Sequence, residues 1–129
     1  MNSPVADPAT ETYVSLATYR RNGVEVRTPV WIAALAGRYY VFSAGNAGKV
    51  KRIRVNSRVR LAACDVRGTV RGGWMDGEAR IVSDPALIVA VRTALRKKYG
   101  LLMRLTDLMA TITGRMQRRA YIEIRLIAS

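Results

Sequence analysis

Short strand-like segments separated by turn signals are the feature that most constrains how this chain folds. Asn22-Gly23 is the strongest of these signals, because both residue types tolerate the positive φ angles of a tight hairpin. Ala36-Gly37 marks a second turn. Pro29 cannot donate a hydrogen bond to a neighbouring strand, so we expect a sheet edge or a bulge there. The predicted strands span residues 13–20, 24–34, 38–43, 58–65, 69–82 and 119–127.

Three helices are predicted between these strands. Residues 47–55 carry apolar side chains at close to helical spacing. Residues 83–85 combine a capping residue with proline and predict a helix start, and Gly100 should end this helix after about Tyr99. Residues 101–113 predict a further helix. Six strands joined by tight turns favour a sheet that curls on itself, so the expected fold is mostly β (α+β), a six-stranded antiparallel barrel with peripheral helices.

The residue types that are missing exclude several kinds of chemistry. The chain has no His and one Cys, so neither a Ser-His-Asp nor a Cys-His centre can form, and we expect no metal site. The 129 residues predict one domain, with residues 1–10 as an extended or partly disordered arm. Without a secretory signal, a possible disulfide or an apolar run of bilayer length, we expect a cytoplasmic protein.

Basic residues are concentrated in one stretch. The net charge is +13, and six of the twelve residues from Lys49 to Arg60 are Lys or Arg. A flexible segment, residues 43–48, leads into a helix whose first turn is basic, and this arrangement favours phosphate binding. A solvated helix face is the first alternative. A groove for single-stranded nucleic acid is the second, although no nucleic-acid-binding motif is present.

Five short motifs follow one another at spacings typical of a known family. They are TPVW (residues 28–31), GKVKRIR (48–54), ACDVRG (63–68), GGWMDGEAR (72–80) and KKYGL (97–101). Together they resemble the pyridoxamine-phosphate-oxidase-like split β-barrel superfamily, which has the FMN-binding split-barrel fold. The chain is most similar to its deazaflavin (F420)-dependent oxidoreductase branch. The resemblance covers residues 12–127; Ser57 and Gly73 depart from it, because many relatives have proline there.

The resemblance implies a homodimer with its cofactor, F420 or alternatively FMN, at the subunit interface. It places the strand from Arg27 to Trp31 along the ring system and the basic helix start around the phosphate. The residues that match cofactor-binding positions are Arg27, Thr28, Pro29, Val30, Trp31, Ser43, Ala44, Lys49, Val50, Lys51, Arg52, Cys64, Asp65 and Trp74. The two tryptophans and the cysteine also have a simpler interpretation, as packing residues.

The implied activity is hydride transfer between reduced F420, or FMN, and an unidentified small-molecule acceptor. No residue is assigned to catalysis. A non-catalytic protein that binds or sequesters the cofactor or a tetrapyrrole is the alternative. We expect no membrane or nucleic-acid partner. A second basic group either forms a solvated face or receives the acidic tail of F420; its members are Arg92, Arg96, Lys97, Lys98 and Arg104.

Overall fold

The computed structural model describes residues 7–127, apart from the side chain of Gln117, and contains one antiparallel sheet with three α-helices. Seven strands lie in the order β2-β1-β5-β6-β7-β4-β3. The strands are β1 (Tyr13–Tyr19), β2 (Glu25–Val30), β3 (Ala33–Leu35), β4 (Arg38–Ala44), β5 (Arg58–Cys64), β6 (Met75–Ile81) and β7 (Arg119–Leu126). The helices are α1 (Gly48–Val55), α2 (Pro85–Tyr99) and α3 (Leu101–Ile112).

The predicted class is confirmed, with seven strands in place of six. The segment predicted as one strand over residues 24–34 is two strands, β2 and β3, which form opposite edges of the sheet. Only Trp31 and Ile32 connect them, so the two edges lie close together and the sheet must curl. The break occurs because Ile32 bonds to α2: its N–H donates to the Tyr99 hydroxyl at 2.9 Å and its carbonyl accepts from Lys98 Nζ at 2.7 Å.

The prediction of a strand over residues 69–82 is wrong in its first half. Only Met75–Ile81 forms β6, and the preceding residues form a turn with a single bridge between Cys64 and Val70. The side chain of Asp65 accepts hydrogen bonds from the backbone N–H groups of Arg67 and Thr69, each at 2.9 Å. These amides are therefore not free to pair with a strand.

Other local signals are confirmed. Gly23, at φ +86°, lies in the β1–β2 hairpin, and Pro29 lies in the edge strand β2. Ala36 and Gly37 form the β3–β4 turn. Gly100 separates α2 from α3 at φ +58°.

Two apolar clusters hold the fold together, one on each face of the sheet. The first fills the inside of the curl, where Val50 and Ile53 of α1 pack against the inward side chains of the strands. The second joins α2 and α3 to the outer face, through Leu95 and Met103 packed near Tyr121. Helix α1 therefore packs inside the curled sheet, and α2 and α3 cover part of its outer face.

The N-terminal segment differs from the expected extended arm where it is described. Residues 8–10 form a turn of 3₁₀ helix with Pro8 buried, while residues 1–6 of the predicted arm lie outside the described residues. Within residues 7–127, none of the helices is both long enough and apolar enough to cross a membrane.

Candidate functional site

The first turn of α1 brings two basic side chains together. Lys49 and Arg52 are three residues apart, so they lie on the same side of the helix, while Val50 and Ile53 point into the core. The Arg52 guanidinium folds back over the helix start. It comes so close to Gly48 that a Cβ placed on this glycine would lie 2.6 Å from Nη1 of Arg52. A side chain at position 48 would therefore displace this guanidinium.

Neighbouring strands hold both cations in place. Arg52 Nε donates to Thr18 Oγ1 of β1 at 2.7 Å. Lys49 Nζ donates to Ser43 Oγ of β4 at 3.2 Å, and Ser43 is buried. We call Ser43, Lys49, Arg52 and the backbone at Gly48 the cation cluster. Because its two charges are anchored by neutral hydroxyl groups, both remain available to an anion.

The electrostatics of the cation cluster favour an anionic ligand. Burial lowers the pKa of Lys49, and the charge of Arg52 lowers it further. Burial and the charge of Arg20 lower the pKa of Arg52. Within residues 7–127, no carboxylate oxygen lies within 4 Å of either cationic group. A bound anion would relieve both the desolvation and the mutual repulsion.

The helix start adds backbone donors to the cation cluster. Ala47 caps α1 without a side-chain hydrogen bond. Its carbonyl accepts from the N–H groups of Val50 and Lys51, as an α-helix start requires. The N–H groups of Gly48 and Lys49 precede the first helical hydrogen bonds, so they point outward at the positive end of the helix dipole.

A cavity of about 690 Å³ lies between the end of β4 and α3 and shares Ser43 with the cation cluster. Its size lies within the range of small-molecule sites. The strand end of β4 contributes Ser43 and Ala44, and α3 contributes the opposite wall. The remaining lining residues are Phe42, Leu105, Thr106, Met109, Ala110, Thr113, Arg115 and Arg119. Ser43 therefore lines the cavity and also accepts the hydrogen bond from Lys49.

Aromatic rings connect the cavity to the predicted ring-binding strand. The Trp31 ring stacks on Tyr99, with centroids 4.5 Å apart and planes 9° apart. It also meets Phe42 edge to face, at 6.3 Å between centroids. Arg119 places its guanidinium carbon 4.6 Å from the centroid of the Phe42 ring. Trp31 is thus packed in the way that the simpler interpretation predicts, while its neighbour Phe42 lines the cavity.

The predicted residue Thr28 lies near the cation cluster. It is diagonal to Thr18 in the pairing of β1 with β2, on the inward face of the edge strand. Its hydroxyl is buried, and no hydrogen-bond partner is present among the described residues. An unpaired buried hydroxyl is uncommon, so this atom is a candidate ligand contact.

Arg27 and Trp74 form a separate group on the opposite face of β2. The guanidinium carbons of Arg27 and Arg60 lie 4.6 and 4.5 Å from the Trp74 ring centroid. Both arginines also pair with Glu25, at 2.5 and 2.8 Å. Burial acts to raise the pKa of Glu25, but the hydrogen bonds from the two arginines outweigh it and lower the pKa. Glu25 therefore compensates part of the positive charge of these two arginines, in contrast to Lys49 and Arg52, which have no carboxylate within 4 Å among residues 7–127.

The remaining predicted residues are dispersed. The side chains of Val30 and Val50 are buried in the core, so they can offer only backbone atoms to a ligand. Cys64 is fully buried, and burial raises the pKa of its thiol. Lys51 is exposed on the other side of α1. Pro29 is also exposed, and its ring lies near Gly68 in the turn after β5.

Two cationic residues expected to be candidates for an acidic tail are used within the fold. Arg96 pairs with Asp107 at 2.7 Å, and Lys98 donates to the carbonyl of Ile32. Sequence reasoning also missed Thr18 and Phe42. The alternation of β1 places Thr18 on the same face as Leu16, but only the structure shows that this face meets Arg52.

The curled antiparallel sheet with its peripheral helices defines a split β-barrel protein. Residues 6–126 match the model of the pyridoxamine 5'-phosphate oxidase family. The chain therefore belongs to this family. A search of curated proteins found no significant match.

Solved structures share this fold. The heme storage protein HutZ from Vibrio cholerae has a TM-score of 0.72 and 13% identity, covering 95% of this chain and 86% of HutZ. A conserved hypothetical protein from Mycobacterium tuberculosis has a TM-score of 0.70 and 22% identity, covering 93% and 76%. A FAD-binding protein from Mesorhizobium loti has a TM-score of 0.63 and 17% identity, covering 93% and 82%. At these identities the likeness is one of fold.

Proposed function

We propose that this protein binds a phosphate-bearing flavin or deazaflavin, FMN or F420, and acts as an oxidoreductase on a small-molecule acceptor. The observation that carries the proposal is the Lys49–Arg52 pair, two partly desolvated cations at the start of α1 that have no carboxylate partner within residues 7–127. Membership of the pyridoxamine 5'-phosphate oxidase family supports a flavin-type ligand.

The cation cluster fits a phosphate group. A phosphate offers several strong acceptor oxygens, and the Lys49 ammonium, the Arg52 guanidinium and the N–H groups at Gly48 are donors that lie close together. The guanidinium can keep its hydrogen bond to Thr18 through Nε while presenting its terminal nitrogens. We infer that these groups hold the phosphate.

The cavity beside Ser43 is the proposed place for the rest of the cofactor. Its wall of Phe42, Leu105 and Met109 is apolar, as a flat ring system requires, and it is large enough for a molecule of this kind. When bound, a reduced flavin or deazaflavin supplies a hydride to the acceptor. The chain's own contribution is to hold the phosphate, shield the ring from water and present Arg115 and Arg119 at the cavity wall.

Haem is the ligand of a structural neighbour, HutZ, and a tetrapyrrole binder is therefore the second candidate. Its usual iron ligand, an imidazole, is absent from this chain, because the sequence contains no His. Burial of Cys64 and its raised pKa disfavour a thiolate ligand. These observations favour the flavin class over haem.

We further propose that the protein acts as a homodimer with the cofactor near the subunit interface. The cavity is bounded by α3, which presents an apolar outward face, so a partner chain would complete its enclosure. Enclosure would exclude water from the reacting ring.

A titration with matched ligands tests the proposal. Purified protein is titrated with FMN, F420 and riboflavin, which has no phosphate, and binding is followed by fluorescence. We expect FMN to bind at least tenfold more tightly than riboflavin, because charge-assisted hydrogen bonds contribute about 1.5–3 kcal/mol each. Equal affinity for FMN and riboflavin would refute the phosphate site. Tight F420 binding with weak FMN binding would assign the deazaflavin branch.

A second experiment separates an enzyme from a binding protein. Reduced cofactor is mixed with the protein and with electron-poor quinone or nitroaromatic acceptors, and cofactor absorbance is followed. Acceptor-dependent oxidation that exceeds the protein-free rate supports an oxidoreductase. Tight binding without any such acceleration would support the sequestering alternative.

A further inference from the structure

One guanidinium group is almost fully buried at the wall of the 690 Å³ cavity. The Arg119 side chain is only 5% exposed. Ala44 of β4 pairs with Arg119 of β7, so Arg119 lies diagonal to Phe42 on the outer face of the sheet. Its guanidinium carbon lies 4.6 Å from the centroid of the Phe42 ring. A charge in such a place is costly unless other groups compensate it.

Asp107 fixes this guanidinium and leaves part of it unused. Nη1 of Arg119 donates to Oδ1 of Asp107 at 2.8 Å and to the Tyr121 hydroxyl at 3.4 Å. Burial acts to lower the pKa of Arg119, but these hydrogen bonds outweigh it and raise the pKa, so the group stays charged. Among the described residues, Nε and Nη2 have no partner, and both atoms keep access to open space. They can therefore donate to a molecule in the cavity.

The cluster around Asp107 carries an excess of positive charge. Asp107 also accepts a hydrogen bond from Arg96 at 2.7 Å, so one carboxylate faces two guanidinium groups and their sum is +1. Asp107 is therefore shared and compensates Arg119 only in part. The described lining of the cavity adds Arg115 and contains no acidic residue. Arg119 thus presents a fixed positive charge to the cavity.

The walls of the cavity differ in the ligand atoms that they can accept. Leu105 and Met109 form an apolar wall, whereas the Arg119 guanidinium has only donors and requires acceptor atoms. The ring system of a flavin or deazaflavin has the same division, because carbonyl oxygens and ring nitrogens lie along its pyrimidine edge. Matching donors with acceptors brings this edge to Arg119 and leaves the opposite end of the ring to the apolar wall.

We propose that Arg119 binds the pyrimidine edge of the cofactor ring and raises its reduction potential, with Asp107 and Arg96 as positioning residues. This inference rests on the proposed function, because it requires a flavin or deazaflavin in the cavity. Hydride transfer to the acceptor moves two electrons and one proton off the ring, which passes from an anionic reduced form to a neutral oxidised form. The negative charge of the reduced form lies on the pyrimidine edge. A fixed positive charge there stabilises the reduced form over the oxidised one.

A raised potential limits the acceptors that the reduced cofactor can reduce. The free energy of the transfer follows from the difference between the two reduction potentials. A cofactor that is easier to reduce gives up its hydride less readily. The cavity therefore favours acceptors of high potential, such as quinones and nitroaromatic compounds, over isolated carbon–carbon double bonds.

The test is the two-electron reduction potential of bound FMN, measured by equilibration with a reference dye. F420 replaces FMN if the wild type binds it more tightly, since the two rings share the pyrimidine edge. Wild type is compared with Arg119→Met, Arg96→Gln and the control Arg125→Gln. The control is matched to Arg96→Gln, because Arg125 is also partly exposed and paired with one carboxylate, that of Glu78, and neither arginine lines the cavity. The potential compares two oxidation states of one bound molecule, so equally weaker binding of both states leaves it unchanged.

We expect Arg119→Met to lower the potential by about 30 mV or more, which is a tenfold loss of preference for the reduced ring. Arg96→Gln should lower it by about 14 mV or more, a threefold loss, because Asp107 then compensates Arg119 alone. Arg125→Gln should change it by less than this. Circular dichroism verifies that each variant folds, and Arg96→Gln decides the question if Arg119→Met does not fold.

Two kinds of failure are distinguishable in this experiment. An unchanged potential in a folded Arg119→Met, or equal shifts in Arg96→Gln and Arg125→Gln, would overturn the inference while cofactor binding remains. A wild type that binds neither FMN nor F420 would refute the proposed function and this inference with it.

Discussion

Removing the carboxylate of Asp107 should strongly destabilise the fold. Asp107 accepts a hydrogen bond from Arg119 of β7 at 2.8 Å and another from Arg96 of α2 at 2.7 Å, so it ties α3 to two other elements. The Arg119 side chain is only 5% exposed. In Asp107→Ala its guanidinium would remain buried without a counter-ion.

The expected magnitude follows from the burial of each partner. Removing one member of a buried ion pair costs about 3–5 kcal/mol, because the other charge stays desolvated. The Arg96 side chain is 43% exposed, so loss of its pair adds no more than about 1 kcal/mol. The total is a large part of the ~5–15 kcal/mol by which a domain is stable.

Urea denaturation at a fixed protein concentration measures this cost. Asp107→Ala is compared with wild type and with Glu78→Ala, which removes the exposed pair between Glu78 and Arg125. We expect the urea midpoint of Asp107→Ala to fall sharply. The free energy of unfolding of the Glu78→Ala control should change by less than about 1 kcal/mol. A cost below about 1 kcal/mol for Asp107→Ala would refute the reasoning.

Three further predictions concern other parts of the chain. Ala36 lies at φ +51° in the β3–β4 turn, so Ala36→Asn should raise the free energy of unfolding by about 0.5–1 kcal/mol in urea denaturation; a decrease would contradict this. Gly45→Ala should lower the free energy of unfolding by about 1–3 kcal/mol, because the new Cβ would collide with the Arg118 carbonyl. An unchanged free energy of unfolding would show that the backbone shifts at no cost. Hydrogen bonds from Arg80 lower the pKa of Glu123 below its ordinary value of 4.5. The ionised Glu123 therefore stabilises the fold at neutral pH, and this contribution is lost as the pH falls from 4.5 through the lower pKa of the folded state. Glu123→Gln should therefore flatten the acid side of the stability–pH curve, and an unchanged slope would exclude this contribution.

Local signals in the sequence predicted most elements of the fold. Asn22-Gly23 and Gly100 mark changes of direction that depend on backbone conformation alone, so they could be read without knowledge of the tertiary structure. The division of residues 24–34 into two strands could not be predicted in this way. That segment is strand-like throughout, and its break at Ile32 depends on side chains more than 60 residues away in sequence.

The candidate site shows the same division between local and distant information. The helical spacing of Lys49 and Arg52 is local, so the basic helix start was predictable. Which cations retain an uncompensated charge was not predictable, because Arg27 pairs with Glu25 while Lys49 donates to the neutral hydroxyl of Ser43. The resemblance to a family supplied candidate residues, and the structure separates those near the cation cluster from those in the core.

The affinity of Lys49→Met for FMN, compared with that of Lys51→Met, tests whether the cation cluster holds the phosphate. Both substitutions remove one positive charge from α1 and differ only in the side of the helix, since Lys49 is half-buried beside Ser43 and Lys51 is exposed. We expect that Lys49→Met weakens FMN binding more than tenfold, whereas Lys51→Met changes it by less than about threefold. Equal effects of the two substitutions, or no effect of either, would show that the cation cluster does not hold the phosphate.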